Sequence, residues 1–142
     1  SSLPSVSGLS SGTIAVRFHT TKTAPAASLL SAADPTSNVK DLVLSLNSGR
    51  PYLEVRTATS TYPVRIQSSM PAADGNEHIV TVTSRDGRTV LGLDGRVVGS
   101  SATQAFFGSI SGLANLTIGA NVAAAGTRWQ FAGTIDELTV TA

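Results

Sequence analysis

Tyr52, Glu54 and Arg56 stand two residues apart in one alternating stretch, and Arg65 follows in the next. Positions two apart on a strand project from the same face, so the first three form a row of phenol, carboxylate and guanidinium. A guanidinium is a planar fork that meets a carboxylate with two parallel hydrogen bonds. The tyrosine adds apolar contact and the glutamate an acceptor, so the row suits a small polar ligand that carries negative charge. An ordinary solvated outer face has the same composition, and Arg17 and His19 on an earlier stretch fit that description better.

A second group lies in residues 121–131 (NVAAAGTRWQF), where Trp129, the only tryptophan, stands next to Arg128 and eight positions after Asn121. The apolar face of an indole covers the C–H face of a sugar ring. Trp129 is therefore either a sugar platform or a plug at the end of the core.

Catalytic chemistry has less to build on. The only histidines are His19 and His78, no Gly-x-Ser-x-Gly nucleophile elbow is present, and cysteine is absent. Asp136 and Glu137 are the nearest approach to a glycosidase carboxylate pair, but neighbours on a strand are expected to point to opposite faces. Asp34, Asp74, Asp86 and Asp94 sit beside turn residues and are explained by turn chemistry. Asp86 and Asp94 carry calcium-type ligands without the Asp-rich loop that builds a calcium site. The expectation is a binding protein with no catalytic residue and no cofactor.

Composition narrows the partners. The 142 residues carry a net charge of +1, and only 13% are charged. Recognition of a phosphate backbone needs a basic excess, so nucleic acid is not an expected partner. No run approaches the ~18 apolar residues of a membrane span, and membrane insertion is not expected either. Eight of the ten basic residues are arginine, and solubility rests on Ser, Thr, Asn, Gln and Gly. Such a hydroxyl-rich, cysteine-free chain suits a secreted or cell-surface bacterial module.

These side chains need a scaffold, and the periodicity supplies one. Ile14, Val16 and Phe18 alternate with polar or small residues, as do Leu42, Leu44 and Leu46, then Leu53 and Val55 after Ser48-Gly49. Val64 and Ile66 follow, and then Val80 and Val82. Asp86-Gly87 and Asp94-Gly95 are strong hairpin turns. Leu116 with Ile118, and Ile135 with Leu138 and Val140, complete ten to twelve short strands. The spacing predicts an all-β sandwich or jelly roll of antiparallel sheets. Only residues 31–34 and 102–107 look able to make a helical turn. Residues 1–11 (SSLPSVSGLSS) read as an N-terminal extension or linker stub without the features of a leader peptide, and 12–142 as a single domain.

Three C-terminal stretches, 89–97 (TVLGLDGRV), 116–119 (LTIG) and 131–140 (FAGTIDELTV), resemble the closing strands of concanavalin-A-like lectin and glucanase domains. Residues 12–23 (GTIAVRFHTTKT), 29–34 (LLSAAD) and 44–56 (LSLNSGRPYLEVR) are similar to the opening of family 40 carbohydrate-binding modules. Those modules accompany the catalytic domains of bacterial sialidases. The resemblance spans most of 12–142 and implies a concanavalin-A-like jelly roll that binds terminal sialic acid on glycans. It further implies that the chain is an accessory domain, covalently linked to the catalytic domain of an exo-α-sialidase in a longer parent chain. In that family arginines clamp the sugar carboxylate, with an acidic side chain and an aromatic contact. Arg56 matches the first arginine and Glu54 the acid. Asn121 and a run of alanines stand where the second arginine is usual, so Arg128 or Arg65 would assist Arg56. Glu54, Asn121 and Trp129 (in place of the usual tyrosine) would fix the hydroxyl and N-acetyl groups. The alternatives are a laminin-G-like lectin for another glycan, with or without calcium, and a structural or protein-interaction sandwich.

Overall fold

The computed structural model describes residues 6–23 and 25–142. Among them are twelve strands: β1 (Gly12–His19), β2 (Ala27–Ala33), β3 (Asp41–Asn47), β4 (Arg50–Arg56), β5 (Val64–Gln67), β6 (His78–Arg85), β7 (Arg88–Leu93), β8 (Arg96–Ser101), β9 (Asn115–Ile118), β10 (Asn121–Ala123), β11 (Gly126–Arg128) and β12 (Thr134–Thr141). Two five-stranded antiparallel sheets, ordered β12-β1-β6-β7-β8 and β5-β4-β3-β2-β9, enclose the core, and β10 with β11 forms a separate hairpin. This is the all-β jelly-roll sandwich that the alternation implies.

The turns set the register. Asp86-Gly87 and Asp94-Gly95 hold positive φ at both residues, 53° and 78°, then 52° and 83°. That is the type I′ geometry whose twist suits antiparallel strands. Ser48-Gly49 behaves alike and pairs Asn47 with Arg50, so the ladder continues to Val43 opposite Glu54 and Asp41 opposite Arg56. Inward-facing Ile14, Val16, Phe18, Val80 and Val82 meet Leu30, Leu42, Leu44, Leu53 and Val55 in one core, which Phe106 and Phe107 join. Each such side chain contributes roughly 1.5–3 kcal/mol by leaving water.

Four local expectations are corrected. Residues 31–34 do not form a helical turn, because Ser31–Ala33 lies inside β2, paired on both sides by β3 and β9. Every position of β2 is buried, so it shows no alternation. In the 102–107 region the helical turn is displaced to a 3₁₀ turn at Phe107–Ser109. Residues 6–11 are not an extension outside the domain: Val6 is buried in the core, the Leu9 carbonyl accepts from Gly108 N, and the Ser10 carbonyl accepts from Gln104. Residues 1–5 lie outside the described residues. Lastly, a bulge in β12 skips Asp136 in the ladder, so Glu137 faces Arg17 while Asp136 stands 3.6 Å from His19. Both carboxylates are exposed, and neither aims into a cleft with the other.

Candidate functional site

The register of β2 to β5 builds three rows on the outer face of their sheet. They are Ser28–Ser45–Tyr52–Gln67, Ser31–Val43–Glu54–Arg65 and Ala33–Asp41–Arg56. The β10–β11 hairpin covers the β2 side of this face. Asn121, fully buried, donates from Nδ2 to Ser31 Oγ at 2.5 Å. Its Oδ1 accepts from Arg128 Nε at 2.7 Å across the hairpin. Arg128 Nη2 bonds the Asn38 carbonyl at 3.4 Å and comes within 3.7 Å of Asp41 Oδ2. The same guanidinium lies over the Trp129 ring, 4.0 Å from its centroid, a contact worth about 0.5–2 kcal/mol.

Trp129 sits at φ 56°, a left-handed conformation that bulky residues seldom adopt. Its carbonyl accepts from Ser28 N at 2.7 Å, which ties this backbone to β2. The ring walls a shallow groove of about 90 Å³ whose other lining residues include Val43, Ser45, Asn47, Tyr52 and Glu54. On the far wall the Tyr52 hydroxyl donates to Glu54 Oε1 at 3.3 Å. Burial, and then the Glu54 charge, push the Tyr52 phenol up to about 12.

Arg56 and Arg65 converge on Tyr62, in the connection between β4 and β5. Arg65 lies 3.6 Å and Arg56 4.8 Å from the ring centroid. Arg56 also donates from Nε to the Ala58 carbonyl at 3.3 Å and from Nη2 to Thr59 at 2.6 Å. Part of its fork is thus engaged by its own turn, while the Arg65 guanidinium lies over the Tyr62 ring. Between the two arginine groups lies Asp41, almost fully buried, with its Oδ1 lacking a hydrogen-bond donor among the described residues. Burial, and next the proximity of Glu54, push its carboxyl up to about 8, against the pull of Arg128 and Arg56.

The Trp129 groove has an indole wall and a small-residue floor, and Arg128 lies over the indole. Arg56 and Arg65 gather at Tyr62 on the same face, an arrangement that offers apolar contact and positive charge. The two histidines belong to β1 and β6 of the other sheet. Among the described residues no group of three His, Asp or Glu side chains is placed to hold a metal. Asp94, weighed above as a calcium ligand, instead accepts from Ile79 N and bonds His78.

The model of the concanavalin A-like lectin/glucanases superfamily matches residues 2–141 of this sequence. The chain belongs to that superfamily. Among its solved structures, the CBM40 domain of the Ruminococcus gnavus IT-sialidase superposes with a TM-score of 0.84 at 21% identity, over 96% of this chain and 78% of that one. The same domain bound to α2,3 sialyllactose gives 0.85 at 20% identity, with the same coverage. The NanB sialidase from Streptococcus pneumoniae gives 0.80 at 19% identity, over 94% of this chain but only 22% of that longer one. No curated protein sequence matches. The superfamily read from the three C-terminal stretches is thus shown, and the fold is that of sialidase CBM40 domains.

The six side chains singled out in the sequence, Glu54, Arg56, Arg65, Asn121, Arg128 and Trp129, all lie on or over one sheet face of this superfamily fold. Arg128, Asn121 and Trp129 form a bonded unit, Glu54 faces them across the groove, and Arg56 and Arg65 gather at Tyr62. Trp129 is half-buried on this outer face and is not part of the sandwich core, so it does not plug it. Two residues escaped notice, Asp41 and Tyr62. For Asp41 a signal existed, since a hairpin centred on Ser48-Gly49 places position 41 opposite Arg56. Tyr62 lies outside any periodic stretch and has no such signal.

Proposed function

We propose that this chain is a non-catalytic carbohydrate-binding module that recognises terminal sialic acid and holds an attached sialidase on sialylated glycans outside the cell. The observation that carries this reading is the guanidinium of Arg128, held by Asn121 over the ring of Trp129, the same ring that walls a groove lined by Glu54. A sialic acid brings a carboxylate for the guanidinium and C–H faces for the indole, while Glu54 and Tyr52 are placed for hydroxyl and N-acetyl groups. Arg56 and Arg65 add positive potential at the other rim. A neutral sugar would use the indole alone and leave the arginines unused. The fold shared with a domain solved with sialyllactose bound supports the same ligand class.

The groove is shallow and open, so affinity belongs to the weak range, with Kd between roughly 1 μM and 1 mM. Titration calorimetry with 3′-sialyllactose and with lactose tests the reading. Heat of binding is expected for the sialylated sugar and none for lactose, and a fluorogenic sialoside should not be hydrolysed. Equal binding of both sugars, or of neither, overturns the assignment.

A further inference from the structure

We propose that Asp41 is part of the ligand face and shares a single proton with Glu54, so that an anionic sugar binds with proton uptake and leaves as the pH rises. The ligand in this proposal rests on the sialic-acid reading, whereas the shared proton does not.

The geometry is that of an acid pair. Asp41 on β3 and Glu54 on β4 occupy diagonal positions of neighbouring rows, within the reach of cross-strand side chains. The Asp41 side chain is only 2% exposed, and its Oδ2 has Arg128 at 3.7 Å, too far for a hydrogen bond. Its Oδ1 has no hydrogen-bond partner among the described residues, and Glu54, diagonal to it across the ladder, adds to burial in pushing the Asp41 carboxyl up. A buried carboxylate oxygen without a donor is costly, and two carboxylates side by side resist joint ionisation. One proton between them removes both penalties.

The groups facing the pair are Arg128 from β11, Arg56 and Tyr52 from β4, Arg65 from β5, and Tyr62 from the β4–β5 connection. Three arginines against two carboxylates leave the face at +1, and the shared proton makes it +2. Arrival of a sugar carboxylate therefore favours the protonated pair. The proton comes from solvent and returns to it when the sugar leaves. Burial and the nearby Glu54 push the Asp41 carboxyl up to about 8, and no histidine lies on this face to confuse a titration.

Calorimetry with methyl α-sialoside on the whole chain reads the linkage. Affinity should be roughly tenfold weaker at pH 9 than at pH 6.5. At pH 8.5 the heat should depend on the ionisation enthalpy of the buffer by about three-quarters of a proton taken up. Asp41→Asn should remove both effects. In parallel, the side-chain carboxyl ¹³C shifts of the ligand-free protein should show one carboxyl on this face titrating near pH 8. Flat affinity with no buffer dependence overturns the linkage, and two carboxyls that both titrate below pH 5 overturn the shared proton. If the sialoside fails to bind at pH 6.5 while one carboxyl titrates near 8, the sugar assignment falls and the shared proton stands.

Discussion

Arg128 illustrates how a side chain becomes specific through what holds it. Its Nε is fixed by Asn121, its guanidinium lies over the Trp129 ring, and one terminal nitrogen points toward Asp41 and Asn38. Asn121 stands where a second arginine is usual in the family that the sequence resembles, and here it accepts a hydrogen bond from the arginine across the hairpin. Arg128→Ala should weaken sialyllactose binding by at least tenfold in calorimetry, because in the proposed mode this firmly held arginine meets the only formal charge on the sugar. Arg128→Lys should not restore it, since an ammonium offers neither the flat stack nor the fork. A lysine variant with unchanged affinity would reduce Arg128 to a point charge.

At the scale of strands and turns, the β6–β7–β8 meander is fastened to the 68–77 connection by one histidine. His78 Nδ1 bonds Asp94 Oδ2 at 2.6 Å, and Nε2 bonds Asp74 Oδ1 at 2.8 Å. Partial burial works against the charged ring, but the Asp94 and Asp74 hydrogen bonds outweigh it and raise its pKa. The raised value means that this contribution to stability is complete below the ordinary histidine pKa of 6.5 and is lost as the pH climbs through the folded value. Asp74 is held below the ordinary value by its hydrogen bonds from His78 and Asn76. Asp94 is opposed by burial but also lowered, by the His78 and Ile79 bonds. Those two contributions are present above pH 3.8 and fade as the pH falls through the depressed values. His78→Ala should therefore lower the thermal midpoint more at pH 5.5 than at pH 9 in scanning calorimetry, and an equal loss at both would show that only packing was removed. The two histidines thus differ: His19 is half-buried on the outer face beside Asp136, and His78 is a clasp.

For the molecule as a whole, the low charge content acquires a use. With a net charge of +1 over 142 residues, long-range steering toward anionic surfaces is weak, and under the proposed function recognition would rest on the few arginines that the fold collects on one face. A single shallow groove then gives brief contacts. Two copies joined by a flexible linker should be retained on a densely sialylated surface about 10²-fold or more longer than one copy, through effective concentration alone. Surface plasmon resonance of the tandem and the single module would measure this. Equal dissociation rates would show that the sites cannot engage together.

Much of this protein was determined locally by its sequence. Asp-Gly and Ser-Gly turns and two-residue alternation dictate hairpins, their register and their inward faces, because these features depend on backbone sterics and on burial of one side of each strand. They suffice to place Tyr52, Glu54 and Arg56 together, and the register of the Ser48-Gly49 hairpin already set Asp41 opposite Arg56. Only the tertiary structure decided that β2 is covered on both faces, that residues 6–11 pack on the domain, and that Trp129 walls a groove. Those outcomes come from contacts such as Asn121 with Ser31 and Arg128 with Asp41, which join residues some 90 apart and leave no periodic trace. The proton between Asp41 and Glu54 is of the same kind, since burial of a carboxylate is set by what folds over it.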